Sequence, residues 1–180
     1  MKRTISIAVL LVSVIVLFTS CKKNYDLSEK QEILFQFEYL NYAWGYQHNG
    51  FIIDNKGNIL TYNNPESWNF TDKDLTLSEE QVNQNISMCT HSGKKISESE
   101  LRKYSGYIRN IASSQVTALK NAAADAGSAE FVCYQFSEST GTYKRYLIKM
   151  EGDFTCENLN FYSKKVVNWM KDINTSVASE

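Results

Sequence analysis

The chain has 180 residues, of which 43% are hydrophobic, 13% aromatic and 22% charged, with one proline and a formal net charge of −1. This composition is typical of a globular protein and argues against a long disordered region. No basic run exceeds a pair such as Lys94-Lys95 or Lys164-Lys165, so the chain lacks the electrostatic footprint of a nucleic-acid-binding protein.

Residues 1–20 are typical of an export signal. The stretch MKRTISIAVLLVSVIVLFTSCKK begins with two basic residues, is apolar from about Ile5 to Phe18, and ends on two small residues before Cys21. The apolar run is shorter than the ~20 residues that a membrane-spanning helix needs. The stretch LFTSC resembles the signal of bacterial lipoproteins, although Phe18 stands where that family usually has Leu.

The resemblance implies that Cys21 is acylated and becomes the first residue of the mature chain. Because Lys22 rather than Asp follows it, the resemblance also implies a lipoprotein of the outer membrane, facing either the periplasm or the cell surface. Each buried methylene of an acyl chain would contribute ~0.8 kcal/mol to anchoring. The alternative is an ordinary cleaved signal followed by a chance cysteine. We expect a polar tether over residues 21–31 and one domain over residues 32–180.

Residues 33–41 are ambiguous between helix and strand. Ser28 and Gln31 form a capping-box pattern, and apolar residues follow at helical spacing. The stretch LFQFEYLNY is nevertheless rich in strand-forming aromatic residues. We favour a strand.

The stretch FIID-NKG-NILTY, residues 51–62, predicts a β-hairpin. Its three-residue loop places Gly57 at the left-handed position of a bulged turn. The loop length sets a register in which Gly50 lies opposite Tyr62. We therefore expect the tyrosine ring to cover the bare backbone of this strand glycine.

The same register defines a possible binding face. If the strand continues upstream without a bulge, Trp44, Tyr46 and His48 point to the same side as Tyr62. Packing in the core or at a sheet edge is the favoured interpretation of this aromatic face. If the face is exposed instead, these four side chains are the binding surface.

Three helices are expected further along the chain. Ser78 with Gln81 and Ser97 with Glu100 mark two helix starts as capping boxes. The apolar spacing behind the second start allows that helix to continue through residues 116–119. A last helix from about residue 159 carries Trp169 on its apolar stripe, where we expect it in the core.

The segments FVCYQF (residues 131–136) and YKRYLIKM (residues 143–150) alternate like strands, and SESTGT between them predicts a turn. Together, the predicted strands and helices indicate an α+β fold. We expect a mainly antiparallel sheet of about four strands, in two hairpins, packed against two to three helices as a two-layer sandwich.

Candidates for catalysis are weak. Cys89 and His91 are two residues apart with no orienting carboxylate nearby, and Asp72 and Asp74 lie on a polar loop without the opposed geometry of a glycosidase pair. Cysteines at 89, 133 and 156 form either free buried thiols or one disulfide, and sequence does not decide between them. No C-x-x-C pair or Gly-rich phosphate loop is present, so we predict no metal and no cofactor.

These observations favour a non-catalytic binding module on the cell envelope. The abundance of Tyr suits contact surfaces for proteins and for sugars alike. A protein partner, bound by an inhibitor, an immunity protein or an accessory subunit, is the first hypothesis. A glycan-binding surface lipoprotein is the alternative, and a hydrolase is the third hypothesis.

Overall fold

The computed structural model describes Ser28 and residues 30–178. The signal segment and Cys21 lie outside the described residues. The described strands are β1 (Ile33–Asn41), β2 (Gln47–Asp54), β3 (Asn58–Asn63), β4 (Thr76–Ser78), β5 (Thr90–Lys95), β6 (Lys120–Asn121), β7 (Ser128–Ser137), β8 (Thr142–Gly152) and β9 (Phe154–Glu157). They form one sheet with the order β5-β3-β2-β1-β7-β8-β9-β6, in which all pairs are antiparallel. Strand β4 lies outside this order and pairs with residues 142–144 at the start of β8.

The helices lie on both faces of this sheet. They are α1 (Glu79–Ser87), α2 (Glu98–Ser105), α3 (Ile108–Ala112) and α4 (Ser163–Ala178). Side chains from α2, α3 and α4 pack on one face, and α1 packs on the other. Within the described residues, no helix is both long and apolar enough to cross a membrane.

The expectation of about four strands in a two-layer sandwich is therefore wrong. The sheet has nine strands, and it is covered on both sides, although the fold is α+β. The unexpected strands β4, β5, β6 and β9 have the sequences TLS, THSGKK, KN and FTCE. Such short or polar segments carry no usable periodicity, and only pairing with a longer neighbour makes them strands.

The strand favoured for residues 33–41 is confirmed as β1, which lies between β2 and β7 at the centre of the sheet. Most of its side chains are buried on both faces. A strand that is buried on both faces has a continuous apolar sequence instead of an alternating one. Such a sequence also contains apolar residues at helical spacing, which is why residues 33–41 were ambiguous.

The predicted hairpin register is confirmed from the pair of Ile53 and Ile59 to the pair of Gly50 and Tyr62. Gly57 has the expected left-handed backbone, with φ of 80°. Asp54 holds the turn, since its carboxylate accepts hydrogen bonds from the backbone amides of Lys56 and Asn58.

Both predicted helix starts are confirmed. Ser78 and Gln81 form a reciprocal capping box, and the Ser97 hydroxyl accepts from the Glu100 amide. The continuation through residues 116–119 is wrong, because α3 ends at Ala112 and Val116 instead forms a bridge with Asn158.

The last helix begins at Ser163, four residues later than expected, and it places Trp169 in the core as predicted. The indole packs edge-on against Phe35, with ring centroids 5.3 Å apart, and stacks on Tyr104 at 4.1 Å. This helix therefore attaches the carboxyl-terminal part of the domain to the central strand β1.

Candidate functional site

The structure divides the predicted aromatic face into an exposed part and a buried part. Strand β2 begins only at Gln47, because a turn with φ of 96° at Gly45 precedes it. Trp44 therefore lies in the β1–β2 loop with 78% of its surface exposed, and Tyr46 is 44% exposed. His48 and Tyr62, by contrast, are buried, with 0% and 4% exposed.

The exposed part belongs to a wider patch, here called the aromatic rim, that comprises Tyr42, Trp44, Tyr46 and Phe70. All four side chains are among the exposed large hydrophobic residues. The Tyr42 and Tyr46 ring centroids are 5.5 Å apart. The rim also reaches the buried part, since the His48 ring lies 6.1 Å from Tyr46 and 5.3 Å from Phe70.

The buried part contains a charged network on the sheet face that α1 covers. His48 Nε2 lies 2.9 Å from Oε1 of Glu38, on the neighbouring strand β1. Arg145 on β8 donates to Glu130 on β7 at 2.5 Å and to Oε2 of Glu38 at 3.4 Å. Three strands thus bring two carboxylates to one guanidinium.

Neutral hydrogen bonds extend the network around Gln36. Its amide donates to the Tyr62 hydroxyl at 2.9 Å, and its carbonyl oxygen accepts from the Tyr134 hydroxyl at 2.5 Å. The Tyr62 hydroxyl then donates to the carbonyl oxygen of Phe37 at 3.1 Å. Burial raises the pKa of Tyr62 well above its ordinary value, so this hydroxyl remains protonated and available as a donor.

The charge of Arg145 is preserved despite its burial. Burial lowers the pKa of the guanidinium, but Tyr134 and the carboxylates of Glu130 and Glu38 outweigh that effect, and the pKa is raised overall. Arg145 is therefore a permanent cation among two acidic side chains.

A pocket of about 200 Å³ opens onto this network. Its walls come from residues 68–71 and from α1, and that loop is tied to the helix by a pair of hydrogen bonds. The Asn69 amide donates to the Asn85 side chain at 2.8 Å, and the Asn85 side chain donates back to the Asn69 carbonyl at 2.9 Å. Its lining includes Glu38, Glu130, Arg145, Trp68 and Phe70.

Sequence analysis did not find this charged network. Glu38, Glu130 and Arg145 are separated by up to 107 positions and meet only because β1, β7 and β8 are adjacent. A signal does exist in the sequence: Glu38 interrupts the apolar stretch LFQFEYL at a position that a buried strand would turn inward. An ionisable residue in such a position is a candidate for a specific partner.

The predicted catalytic candidates do not form a site. Cys89 is half-buried and donates from Sγ to the Asn85 carbonyl at 3.3 Å, and burial raises the pKa of its thiol to about 12. His91 lies exposed on the edge strand β5 rather than at a helix end. Asp72 holds a turn by accepting from the backbone amide and the hydroxyl of Thr76, which lowers the pKa of Asp72.

The cysteines at 89, 133 and 156 are all free thiols. Among the residues that the structure describes, no group of three or more His, Cys, Asp or Glu side chains is arranged to hold a metal ion.

We expect the three thiols to react slowly with iodoacetamide in the native protein at pH 8. Burial raises the pKa of Cys89, Cys133 and Cys156 above the ordinary value, and the thiolate is the reactive form. Mass spectrometry of labelled peptides should show at least ~10-fold faster labelling in guanidinium chloride. Rapid native labelling of Cys89 would contradict the buried environment described above.

Comparison of the chain with protein-family models, with characterised proteins and with solved structures finds no match to any of the three.

Proposed function

We propose that this chain is a non-catalytic binding module, anchored to the bacterial cell envelope through a lipid on Cys21, and that the aromatic rim binds a protein partner there. The observation that carries the proposal is the exposure of Trp44, at 78%, in a turn between the exposed side chains of Tyr42 and Tyr46. Aromatic side chains clustered on a surface are typical of contact sites, because they bury large areas on binding.

The turn that presents the rim is well supported. Asn41 is buried, its side-chain oxygen accepts from the Ala43 amide at 2.8 Å, and its amide nitrogen donates to the Tyr39 hydroxyl at 3.0 Å. These bonds hold the beginning of the loop against the sheet. A turn that is already ordered loses less conformational entropy when a partner binds.

The position of the rim also suits a tethered protein. The described chain enters β1 at Ile33, and the rim follows the other end of this strand, nine residues later. At about 3.3 Å per residue, the two ends are separated by roughly 30 Å. A tether that precedes β1 would therefore leave the rim at the end of the sheet farther from the attachment point.

We expect Trp44→Ala to weaken capture of the partner by at least ~30-fold, since removal of a central aromatic side chain typically reduces binding by 2 kcal/mol or more. Stability should change by less than about 0.5 kcal/mol, because the indole is exposed. The measurement is crosslinking and affinity purification from the native envelope, followed by a titration with the partner that is recovered. Phe161→Ala is the matched control, because this ring is also 78% exposed but lies just before α4. Equal capture by the wild type and Trp44→Ala would contradict the proposal.

A glycan is the second candidate ligand, because the exposed rings of Trp44 and Tyr46 are of the type that stacks on sugars. A panel of envelope and host oligosaccharides should then raise the melting temperature of the wild type and not that of Trp44→Ala. A glycan-dependent shift without a stoichiometric protein partner would replace the first candidate by the second.

A further inference from the structure

We propose that the pocket beside the aromatic rim accepts a cationic side chain, lysine or arginine, that the protein partner inserts. This inference rests on the proposed function and specifies the chemistry of the partner.

The charge balance favours a cation. Glu38 and Glu130 contribute two formal negative charges and Arg145 contributes one positive charge, while Nε2 of His48 lies 2.9 Å from Oε1 of Glu38. Arg145 makes a short bond only to Glu130, and its contact with Oε2 of Glu38 is long, at 3.4 Å. Two carboxylates therefore share one guanidinium at the floor of the pocket, and the ammonium or guanidinium group of a partner would supply a second permanent cation.

The walls add a second feature that a cation would use. Trp68 and Phe70 line the pocket, and both pack against the buried His48 ring, with centroid distances of 5.2 and 5.3 Å. The Nδ1 atom of His48 is buried and has no hydrogen-bond partner among the described residues. The faces of aromatic rings attract cations within about 6 Å, and removal from water strengthens the attraction.

The volume of the pocket favours a single side chain over a larger ligand. The pocket holds about 200 Å³, whereas pockets for drug-sized ligands hold roughly 300–1,000 Å³. An oligosaccharide is too large to enter, and an acidic side chain would meet Glu38 and Glu130. One extended basic side chain satisfies both restrictions.

The pocket and the rim form one surface through Phe70, which belongs to both. A partner that covers the rim would therefore also cover the mouth of the pocket. An inserted lysine or arginine would then lie close to the aromatic contacts, where surrounding residues exclude water and strengthen a charged interaction.

The test uses a small probe, N-acetyl-lysine amide, with its neutral analogue N-acetyl-norleucine amide as the matched control. The two differ in the ammonium group. We expect the lysine probe to bind in the millimolar range, at least ~10-fold more tightly than the analogue, as judged by shifts of the Trp68 indole signal in NMR titrations. Equal binding of the two probes would overturn the inference.

Three variants localise the effect. Glu130→Gln should weaken lysine binding by about 5-fold or more, since it removes one negative charge from the floor, and Glu98→Gln, which removes the same charge from an exposed site on α2, should have no effect. Phe70→Leu keeps an apolar side chain at an exposed position and should weaken binding about 2- to 5-fold by removing the ring face. Because Phe70 is exposed, this variant tests the pocket even if Glu130→Gln folds poorly.

The result for the pocket is distinguishable from the result for the rim. If the lysine probe does not bind the wild type while Trp44→Ala still abolishes partner capture, the pocket inference is wrong and the proposed function stands. If the probe binds as expected while Trp44→Ala leaves capture unchanged, the pocket is a cation site and the proposed function is wrong. Lysine binding that persists in both Glu130→Gln and Phe70→Leu would overturn the inference.

Discussion

Arg145→Met should destabilise the protein by about 3–5 kcal/mol at neutral pH, as is typical when one partner of a buried ion pair is removed. The Arg145 side chain is 13% exposed and is the cation that contacts both Glu38 and Glu130. Methionine fills much of the same volume, so the loss is mainly electrostatic. The substitution leaves the largely buried Glu130 carboxylate without its cation and leaves Glu38 with the His48 contact only, which is the costly state. Chemical denaturation of the wild type and of Arg145→Met at neutral pH measures this loss.

Two comparisons show whether the network is responsible. Arg102→Met removes a guanidinium that is exposed on α2 and pairs with Glu98, and it should change stability by less than about 0.5 kcal/mol. The double variant Arg145→Met with Glu130→Gln should be more stable than Arg145→Met alone, because one unpaired charge is gone. A loss as small as that of Arg102→Met, or a double variant that is less stable than Arg145→Met alone, would contradict the electrostatic explanation.

Gly50→Ala should destabilise the protein by at least ~3 kcal/mol, the range reached when a core is overpacked against backbone. A Cβ at this position would lie 2.0 Å from the carbonyl oxygen of Phe37 and 2.8 Å from the Tyr62 hydroxyl. The Phe37 carbonyl belongs to the central strand β1, so it cannot move without disturbing its pairing with β2 and β7. The hydroxyl of Tyr62 would also be displaced from its bond to that carbonyl.

Gly106→Ala is the matched control for this substitution. Gly106 ends α2 with an ordinary helical φ of −60°, and a Cβ there meets its nearest atom at 3.4 Å. Its replacement should be neutral or stabilising by up to about 1 kcal/mol, since alanine reduces the freedom of the unfolded chain. Urea denaturation of both variants gives the comparison. A mild effect of Gly50→Ala would mean that β1 and β2 are not held as closely as described.

Local features of the sequence predicted local features of the fold. The loop NKG fixed the register of β2 and β3 down to the pair of Gly50 and Tyr62, because the length of a hairpin loop and its left-handed glycine constrain the strands directly. The starts of α1 and α2 followed from Ser78 and Ser97, because capping involves residues only three positions apart. These interactions need no knowledge of the rest of the chain.

The size of the sheet did not follow from the sequence. Strand β5 has the sequence THSGKK, in which no apolar alternation is present, and it becomes a strand only because β3 offers an unpaired edge. The segment after α3 became a bridge and a short strand rather than more helix, since Val116 pairs with Asn158 from a distant part of the chain. Propensity and periodicity are weak compared with such pairing.

The sequence predicted which residues share the possible binding face, but not which of them are exposed. The sequence grouped Trp44, Tyr46, His48 and Tyr62 by strand alternation, and the turn at Gly45 divided them into exposed and buried pairs. Alternation reports which side of a sheet a residue faces, but it does not report where the strand begins or which loop covers it. The covering loop that buries His48 comes from residues 68–70.

The sequence by itself predicted the features set by near neighbours that the structure confirms: the β2–β3 register, the starts of α1 and α2, and the strand over residues 33–41. The export signal with its resemblance to lipoproteins stays a prediction. Only the tertiary structure decided that Glu38, Glu130 and Arg145 share one pocket and that Trp44 is exposed. The physical reason is the separation in sequence between the residues that interact. Caps and turns are interactions between residues a few positions apart, whereas the pocket depends on the order of the strands in the sheet, which is fixed by the packing of the whole chain.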